Sequence, residues 1–483
     1  MEKSIIEFQK NGIPALEKIT LAFFEDPTKI AEFVGGVQDN VLQLGLGIIK
    51  EQFEALDEAL CRSGNRRKNW EIVKHDEKAM TTSIGDLTFT KTLFRNKKTG
   101  EARYLVDDLL GFEKHERMTE DAEAKMLKEA VQTSYRKAGE EMSILSEMSK
   151  QTVKNKLHAL EFPQYEHEGP QKVVEYLYID ADEDHVPLQY INIKGDIEEG
   201  KDNNIPGKLV YVYEGIEAIA PKSDRYRLIE PHYFSGIYEG DDNSLLWDEV
   251  WEYIDAKYDV DSIKHIYLNS DGGAWIKGGS RKIHGLIRVL DEHHLSKYLT
   301  SMTSHLRDSS EDARDMLRDT IRKGTKEDFN ELCDRIYDYA DDDDDGARNR
   351  VEKGRTYILN NWTPAKIRLQ RKAGVLGSST EGHVSHVLAS RMSSRPMGWS
   401  KVGADKMARL RAYYWNDRDM LELVRYQKEA LPKAAGAEEY LTPQEAGALR
   451  DSVSKEPGWY EEHLQASLPF QAMKKLRIIE NIW

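Results

Sequence analysis

The segment GSSTEGHVSHVLASRMSSRPMGW, residues 377–399, contains a single acidic side chain, Glu381. The whole chain is rich in acid, with 85 Asp and Glu residues against 69 Lys and Arg residues. Apolar residues follow this acid at helical spacing (Val384, Val387 and Leu388), which predicts that it lies at the start of a helix. An acid there can interact favourably with the helix N-terminus. It can also supply one ligand to a metal site whose other ligands come from elsewhere.

Other carboxylates occur where two predicted strands end, which is the edge of an α/β sheet where ligands tend to bind. In the first, YLYIDADEDHV, alternation places Asp180, Asp182 and Asp184 on one face, so periodicity does not choose among them. An acidic hairpin turn is the competing interpretation. In the second, HIYLNSDGGAW, two glycines after Asp271 allow backbone and ligand to approach closely. An ordinary Asp-Gly turn competes there.

Together these acids have the residue types that two-metal phosphoryl chemistry needs. One Asp from each strand end and a Glu on a later helix can hold two Mg²⁺ ions. Mg²⁺ prefers hard oxygen ligands to Cys or His. Such a pair activates a water or a 3′-hydroxyl and stabilises the leaving oxygen during in-line attack on a phosphodiester. The sequence therefore predicts a metal-dependent site built from Asp271, Glu381 and one acid of the first cluster.

Composition limits the kind of protein that carries these acids. With 483 residues, 39% of them hydrophobic and 32% charged, the chain predicts a soluble protein with about two to four domains. No apolar run reaches the roughly 18 residues of a membrane span, and we expect no secretory signal in MEKSIIEFQK. The 2 distant cysteines argue against a zinc site and predict a cytoplasmic location. The net charge of −16 weighs mildly against nucleic acid as a partner.

The segments before the first acid predict helical and β-hairpin modules. Residues 1–75 have apolar residues at helical spacing and end in the breakers and basic residues of CRSGNRRKNW. In residues 76–168, TFTKTLFRNKKTGEARYL predicts a hairpin with a basic tip. Helices follow, with Thr119 as a possible cap and a break at Gly139. That break permits a helix-turn-helix, and a simple helical hairpin fits equally well.

The later segments alternate in character. Residues 169–284 contain several strands, a Trp-rich helix and another strand, which indicates an α/β unit. Residues 285–374 are highly charged and helical without a clear strand, and residues 375–432 continue with the helix of Glu381 and further helices. The tail, residues 433–483, is punctuated by Ala, Glu and Pro and is predicted to be helical.

Three stretches, ADEDHVPLQ, YLNSDGGAWIK and above all STEGHVSHVLASRMSSRPMGW, resemble the ISLre-type transposases of bacterial insertion sequences, relatives of the Mutator-like DDE transposases. The resemblance covers about residues 80 to 410. It implies an α/β ribonuclease-H-like catalytic domain, residues 169–284 and 375–432, with a helical insertion at residues 285–374. Helical and β-hairpin DNA-binding modules would precede it. The resemblance favours Asp182 as the first acid, with Asp180 and Asp184 in reserve.

The same resemblance draws attention to DEHH, residues 291–294. Similar proteins carry a Cys- or Asp-x-x-His pair soon after the second acid, and Asp291 and His294 match it here. It implies that these two residues position a helix or contact DNA and are not metal ligands. A solvated helix face is the competing interpretation.

Basic residues predict two DNA-contacting surfaces. The first lies on the predicted hairpin and comprises Lys91, Arg95, Lys97, Lys98 and Arg103. Its competitor is a solvated strand edge protected by lysines. The second follows Glu381 and comprises Arg391, Arg395 and Lys401, with Trp399 available for a flipped or frayed base. Packing at a helix end competes there.

Together with these residues, the resemblance implies a DNA transposase. It would bind terminal inverted repeats and use Asp182, Asp271 and Glu381 with two Mg²⁺ ions, for which Mn²⁺ can substitute, to hydrolyse a strand at each end. The freed 3′-hydroxyl would then attack target DNA. Because two ends are processed together, we expect a homodimer or larger assembly on duplex DNA, with no membrane partner. The alternatives are a structure-selective nuclease, a domesticated non-catalytic DNA-binding protein, and a scaffold that does not bind nucleic acid.

Overall fold

A computed structural model describes residues 2–189, 203–223, 225–340, 344–371, 374–377, 380–395, 397–429 and 440–453. It is a mixed α/β structure with many helices and several sheets. Two compact units divide the chain: the first comprises Met1–Val153 and Met420–Trp483, and the second comprises Lys154–Asp419. Within the described ranges, no helix is both long and apolar enough to cross a membrane.

The first unit begins with helices, as residues 1–75 predict. They are α1 (Glu2–Glu7), a π-helical turn (Phe8–Gly12), α2 (Ile13–Glu25), α3 (Ile30–Arg62) and α4 (Gly64–Asn69). The helices α2 and α3 pack against each other, with the rings of Phe23 and Phe33 stacked at 4.6 Å. The last of the four is capped by Ser63, whose hydroxyl oxygen accepts from the amides of Asn65 and Arg66.

A three-stranded antiparallel sheet follows, in the order β1 (Trp70–Thr81), β2 (Asp86–Asn96) and β3 (Ala102–Arg103). The predicted turn at residues 97–100 connects β2 and β3, with Gly100 at φ +75°. Two expectations are corrected. The helical segment ends before residue 75, because β1 already pairs with β2 from Trp70. The chain after Tyr104 forms a helix where the sequence predicted strand. Most of β1 is exposed, and charged residues interrupt its apolar ones, which hides the alternation expected of a strand.

Further helices complete the first unit: α5 (Leu105–Leu110), α6 (Glu120–Gln132), α7 (Tyr135–Glu141) and, at its border, α8 (Lys150–His158). Thr119 precedes α6 as predicted, but its hydroxyl donates to the carbonyl of Thr81 at 3.3 Å and does not cap the helix. The predicted break at Gly139 is also corrected. The helices separate at residues 133–134, where the Ser134 hydroxyl oxygen accepts from the amide of Lys137 at 3.2 Å.

Two C-terminal helices, Met420–Glu429 and Pro443–Val453, belong to the first unit. The first packs against α6, where Arg425 donates to Glu120 at 3.1 Å, although the sequence placed it in the catalytic domain. The carbonyl of Tyr440 accepts the hydroxyl of Ser63 at 2.7 Å. Of the tail predicted at residues 433–483, the structure describes residues 440–453, which include the helix Pro443–Val453; residues 433–439 and 454–483 lie outside the described residues.

The second unit is built on a five-stranded mixed sheet. Its strands are β4 (Tyr176–Pro187), β5 (Asn204–Tyr213), β8 (His232–Gly236), β9 (His265–Ser270) and β10 (Leu286–Leu290), with a separate ribbon of β6 (Gly215–Ala218) and β7 (Tyr226–Ile229). The order is β10-β9-β4-β5-β8. The neighbours β4, β9 and β10 are parallel, whereas β5 is antiparallel to β4 and β8. The segment from 285 onward was predicted to lack a strand, but the short apolar run LIRVL forms β10.

One face of this sheet packs on α9 (Asn243–Lys257). The core joins apolar strand residues to Trp247, Val250 and Ile254 of the helix, all at most 1% exposed. The short helices α10 (Ala274–Lys277) and α11 (Gly279–Lys282) connect β9 to β10. Crossovers of this kind are what parallel strands require.

The predicted charged helical insertion starts after β10. It comprises α12 (Glu292–Thr303), α13 (Ser310–Lys323), α14 (Lys326–Asp338), α15 (Asp345–Asn360) and α16 (Trp362–Gln370). These helices have an apolar core of their own, including Leu299, Leu317, Phe329 and Cys333. The chain returns as α17 (Thr380–Val384), a π-helical turn (Ser385–Ala389), α18 (Ser390–Met392) and α19 (Lys401–Trp415).

Two glycines of the first unit predict opposite effects of the same substitution. A Cβ at Gly139 would lie 2.1 Å from the carbonyl oxygen of Met148, whereas a Cβ at Gly35 within α3 would meet no atom within 4 Å. We expect Gly139→Ala to lower the free energy of unfolding by about 1–3 kcal/mol and Gly35→Ala to raise it by about 1 kcal/mol. Chemical denaturation of the two variants checks this. Equal effects would contradict the backbone packing described at Gly139.

Candidate functional site

Three carboxylates occupy one row across neighbouring parallel strands, at the level where β9 and β10 end. Ser270 of β9 lies between Ala181 of β4 and Leu290 of β10 in the ladder. The next residue along each chain is an acid, so the row reads Asp182, Asp271, Asp291. Because the strands run in the same direction, the three acids lie side by side where the parallel pairing ends. The expectation that Asp182 ends its strand is corrected, because β4 continues to Pro187 and Asp182 pairs with Leu209 of β5.

This edge forms a cleft of about 240 Å³. It is lined by Ala181, Asp182, Ser270, Asp271, Asp291, His293, His294, Thr380, Glu381 and Gly382. The structure therefore brings the predicted residues Asp182, Asp271 and Glu381 into one cleft, although they are far apart in the sequence. His293 and Thr380 are cleft residues that the sequence analysis did not identify.

Asp182 is the most perturbed carboxyl group of the cleft. Burial is the main cause that raises its pKa to about 6, and repulsion from Asp271 adds to it. One carboxylate oxygen accepts the amide of Glu183 at 2.8 Å, which partly opposes the rise. A buried carboxyl group beside a second carboxyl is a common arrangement at functional sites.

The loop of Asp271 is held by the helical insertion. The hydroxyl of Tyr357 on α15 donates to the carbonyl oxygen of Asp271 at 2.6 Å. A carboxylate oxygen of Asp271 accepts the amide of Gly273 at 2.8 Å. Gly272 has φ +88°, and a Cβ there would lie 2.4 Å from the side-chain oxygen of Asn361. This close approach requires glycine. Nothing in the sequence links Tyr357 or Asn361 to Asp271, so both were missed.

Glu381 lies in the first turn of α17, as its spacing predicts. Two contacts fix this helix on the sheet. The hydroxyl of Thr380 donates to buried Asp180 at 3.2 Å, and the hydroxyl oxygen of Tyr233 lies 3.0 Å from Nδ1 of His383. The Glu381 side chain is 75% exposed and lies 3.4 Å from His293 Nδ1. A π-helical turn follows at Ser385–Ala389, a feature common near functional sites.

As placed, the side chains do not close around an ion. Among the described residues, no group of three or more His, Cys, Asp and Glu side chains has the spacing to hold a metal. The carboxylate of Glu381 contacts His293. The donor types in the cleft are nevertheless carboxylate oxygens, which are the ligands that Mg²⁺ prefers.

Asp291 and His294 form a coupled pair at the start of α12. A carboxylate oxygen of Asp291 accepts the amide of His294 at 3.0 Å and lies 3.1 Å from its Nδ1. Burial raises the pKa of Asp291, but these hydrogen bonds lower it by more, so the pKa lies below its usual range. The same hydrogen bond raises the pKa of His294. Asp291 thus caps the helix and orients an imidazole that lines the cleft.

Asp180, kept in reserve as the first acid, lies elsewhere. It is 0% exposed and does not line the cleft. Its carboxylate accepts from Tyr211 at 2.8 Å, Tyr213 at 3.1 Å, Asn269 at 2.7 Å and Thr380 at 3.2 Å. The reserve role for Asp180 is therefore corrected to a structural one, because its oxygens are engaged by donors from three elements.

Arg368 of α16 extends this network. Its guanidinium donates to the carbonyl of Leu290 at 2.8 Å and to the side-chain oxygen of Asn269 at 2.6 Å. Asn269 in turn donates to Asp180. Strands β4, β9 and β10, which carry the row of acids, are thereby tied to one another and to the insertion by buried polar groups.

The basic residues of the hairpin occupy different environments. Lys91 is 8% exposed, bonded to Asp107 and placed over the ring of Tyr104, so its expected role on an exposed hairpin is corrected. Lys97 donates to a carbonyl at 2.6 Å, and Arg103 pairs with Glu101 at 2.6 Å. Arg95 and Lys98 are exposed.

The basic residues after Glu381 also divide. Arg391 is 3% exposed and its guanidinium lies 4.7 Å from the centre of the Trp399 ring, which is itself 5% exposed. For this pair, helix-end packing replaces the expected contact with phosphate or base, because neither side chain reaches solvent. Arg395 is exposed, and Lys401 is exposed and paired with Glu239.

Comparison with known proteins places the chain in a family. The profile of UPF0236, described as an uncharacterised protein family, matches residues 24–429. The chain belongs to the UPF0236 family. One relative, UPF0236 protein TTE0610/TTE0881/TTE1053/TTE2432 of Caldanaerobacter subterraneus subsp. tengcongensis, is 33% identical over 429 residues, covering 88% of this chain and 87% of the relative. Another from the same organism, UPF0236 protein TTE0402, is 33% identical over 395 residues, covering 82% and 75%.

A solved structure, the Drosophila P element transposase strand transfer complex, aligns with 72% of this chain and 89% of its own. The identity is 9% and the TM-score is 0.23. A likeness this weak carries no argument about the fold or function of the UPF0236 chain.

The raised pKa of Asp182 predicts a pH-dependent stability. Its proton is bound more tightly in the folded state, so this contribution to stability is complete below pH 4 and is lost as the pH rises through about 6. At pH 8 without divalent ions, we expect Asp182→Asn to raise the free energy of unfolding by about 2–3 kcal/mol. Below pH 4 the gain should vanish. Denaturation at both pH values tests this, with exposed Asp261→Asn as the unaffected control; a gain independent of pH would contradict it.

The buried network predicts that Asp180→Asn is costly. The new amide would present a donor to groups that already donate, and Asn269 cannot reverse its role. We expect a loss of about 3 kcal/mol in the free energy of unfolding. Tyr211→Phe removes only one donor and should cost about 1 kcal/mol. Equal losses in the two variants, measured by urea denaturation, would show that Asp180 is not the centre of the network.

Proposed function

We propose that this UPF0236 protein is a DDE-type DNA transposase, whose Asp182, Asp271 and Glu381 hold two Mg²⁺ ions, with Mn²⁺ able to substitute. The observation that carries the proposal is the position of the acids. Asp182 and Asp271 each follow the last pair of the parallel ladder between β4 and β9, and Glu381 lines the same cleft from a helix. The resemblance to ISLre-type transposases also supports the proposal.

The arrangement of the sheet supports a ribonuclease-H-like catalytic domain. The strand that carries the first acid, β4, is central in the sheet. On one side it pairs with the antiparallel strand β5, which is itself antiparallel to β8, and on the other side lie the parallel strands β9 and β10. Helices of the insertion separate Asp271 from Glu381 and pack around a core of their own.

The residues fit divalent ions through their chemistry. Asp182 and Asp271 repel each other, and the repulsion helps to raise the pKa of Asp182. A cation between them would relieve it. When bound, the two ions would activate the attacking water or 3′-hydroxyl and stabilise the leaving oxygen. Glu381 would supply the third carboxylate in place of its contact with His293.

Other side chains of the cleft have roles of their own. Asp291 holds the ring of His294 through Nδ1, and this hydrogen bond raises the pKa of His294. An imidazolium can donate to a phosphate oxygen of the substrate. Tyr357 fixes the backbone of Asp271 and so positions its carboxylate. Neither role requires a covalent protein–DNA intermediate.

Duplex DNA is the proposed partner, as terminal inverted repeats and as target, in a homodimer or larger assembly. Exposed cations are available on each unit, including Arg95 and Lys98 on the first and Arg395 on the second. A relative adds support: the name of one UPF0236 protein of Caldanaerobacter subterraneus subsp. tengcongensis joins eleven locus designations. Many copies of one gene in one genome are what a transposing element leaves behind.

A cleavage assay tests the proposal. The substrate is a labelled duplex with the end of the element that encodes the chain, with Mg²⁺ present, and the proteins are wild type, Glu381→Gln and Glu327→Gln. Glu327 is an exposed acid in the first turn of α14 and serves as the matched control. We expect wild type and Glu327→Gln to nick at the end. Glu381→Gln should bind equally well but cut at least about 10³-fold more slowly, a loss typical of a transition-state group.

Other outcomes select the alternatives. If every protein binds and none cuts with any divalent ion, the chain is a domesticated DNA-binding protein. Cleavage of branched DNA without preference for the element end indicates a structure-selective nuclease. No salt-sensitive binding to duplex ends would leave a scaffold. If Glu381→Gln cuts like wild type, the assignment of the three acids is wrong.

A further inference from the structure

A second cleft, of about 850 Å³, lies wholly in the first unit. Its walls are the β1–β2 pair and the segment from residue 102 to residue 117. Lys78, Lys91, Tyr104, Asp107, Phe112 and Arg117 are among its lining residues. The volume is in the range of small-molecule and cofactor sites. None of these residues takes part in the proposed metal-dependent chemistry.

The floor of this cleft contains two buried lysines that share one carboxylate oxygen. Lys91 and Lys78 both approach Asp107 Oδ2, Lys78 at 3.3 Å, and each lysine is 8% exposed. Their ammonium groups lie over aromatic rings, 3.7 Å from Tyr104 for Lys91 and 4.7 Å from Phe112 for Lys78. Burial lowers the pKa of Lys78. Burying two ammonium groups beside a single carboxylate costs free energy. Packing of the unit does not require this arrangement.

The same carboxylate has an unused acceptor. Asp107 Oδ1 is buried and has no hydrogen-bond partner, and the residue is 8% exposed. An ammonium group has three donors, so Lys78 and Lys91 each have N–H groups beyond the one directed to Asp107. A buried acceptor beside spare donors, next to aromatic rings, matches the edge of a nucleobase, which presents both kinds of group.

Two other acids of the cleft have partners of their own. Asp76 accepts the hydroxyl of Tyr104 at 2.6 Å, and Glu116 pairs with Lys428 at 3.0 Å. At the rim, Lys114 and Arg117 are exposed cations. Between them, His115 has φ +68°, a conformation that non-glycine residues rarely adopt and that is concentrated at binding sites. Cations at the mouth of an open cleft suit a phosphate group.

We propose that this cleft binds a nucleotide. The base edge is recognised by Asp107, Lys78 and Lys91 on the floor, and the phosphate is held by Lys114 and Arg117 at the rim. Two sources have this chemistry: a free mononucleotide, or an unpaired nucleotide at the end of a DNA strand. The second source rests on the proposed function, whereas the first does not.

A binding assay without divalent ions separates this proposal from catalysis. Full-length protein is titrated against one labelled duplex, either blunt or with a three-nucleotide single-stranded extension, with mononucleotides as competitors. The test variant is Lys114→Gln/Arg117→Gln. The control is Lys326→Gln/Arg335→Gln, which removes two exposed cations of α14, outside the cleft. We expect the test variant to lose at least tenfold affinity for the extended duplex and the control less than threefold.

Competition identifies the source. Displacement of the extended duplex by a millimolar mononucleotide, weakened in the test variant, supports a free nucleotide site. Preference for the extended duplex without such competition supports a strand end. Asp107→Asn should alter which base is preferred, because it exchanges an acceptor for a donor. The proposal is overturned if both double variants lose equal affinity, or if blunt and extended duplexes bind alike and no mononucleotide competes. Such a result would not affect the proposed function, which depends on cleavage by wild type in the earlier assay.

Discussion

The buried carboxylate of Asp180 is the interaction on which the second unit depends. It accepts hydrogen bonds from β5, β9 and α17, and Asn269 passes the network on to Arg368. A charge taken out of water is tolerated only when several donors compensate it. Here those donors come from the strand beside Asp182, from the strand that ends at Asp271, and from the helix of Glu381. The hydrogen bonds to this one buried acid therefore set the relative positions of the three acids that line the cleft.

The cleft contains features that lower the stability of the folded chain. Burial raises the pKa of Asp182, and Asp271 beside it adds repulsion, so the folded chain holds an acid that would be better solvated. The glycine at 272, with φ +88° and an amide side chain pressed against it, is a second constrained feature at the same edge. Energetically unfavourable features that are concentrated at one place, in a sheet otherwise well packed, are typical of a functional site.

The helical insertion is also part of the site. Its helices have a separate core, yet Tyr357 bonds to the backbone of Asp271 and Arg368 bonds to the end of β10. The segment between the second and third acids is therefore more than a spacer, because it holds the loop that carries one acid and the strand that precedes Asp291. The DNA that we propose as substrate would meet a cleft whose walls come from both the sheet and this insertion.

The sequence by itself determined the candidate acids, the α/β character of the second unit, the helices of the insertion and the helix that begins near Glu381. These are recorded in local patterns, namely strand ends rich in acid, an Asp-Gly-Gly turn and apolar residues at helical spacing. It missed β1, whose charged and exposed residues hide the alternation, and β10, whose five residues are too short to distinguish from a turn. It also could not separate Asp180 from Asp182, since both lie on one face of one strand. Only the tertiary structure decided that Asp180 is enclosed by donors, that Asp291 completes the row of acids, and that Lys91 and Arg391 are buried. Those outcomes depend on which strands become neighbours and which side chains are covered by other elements, and no local pattern encodes either.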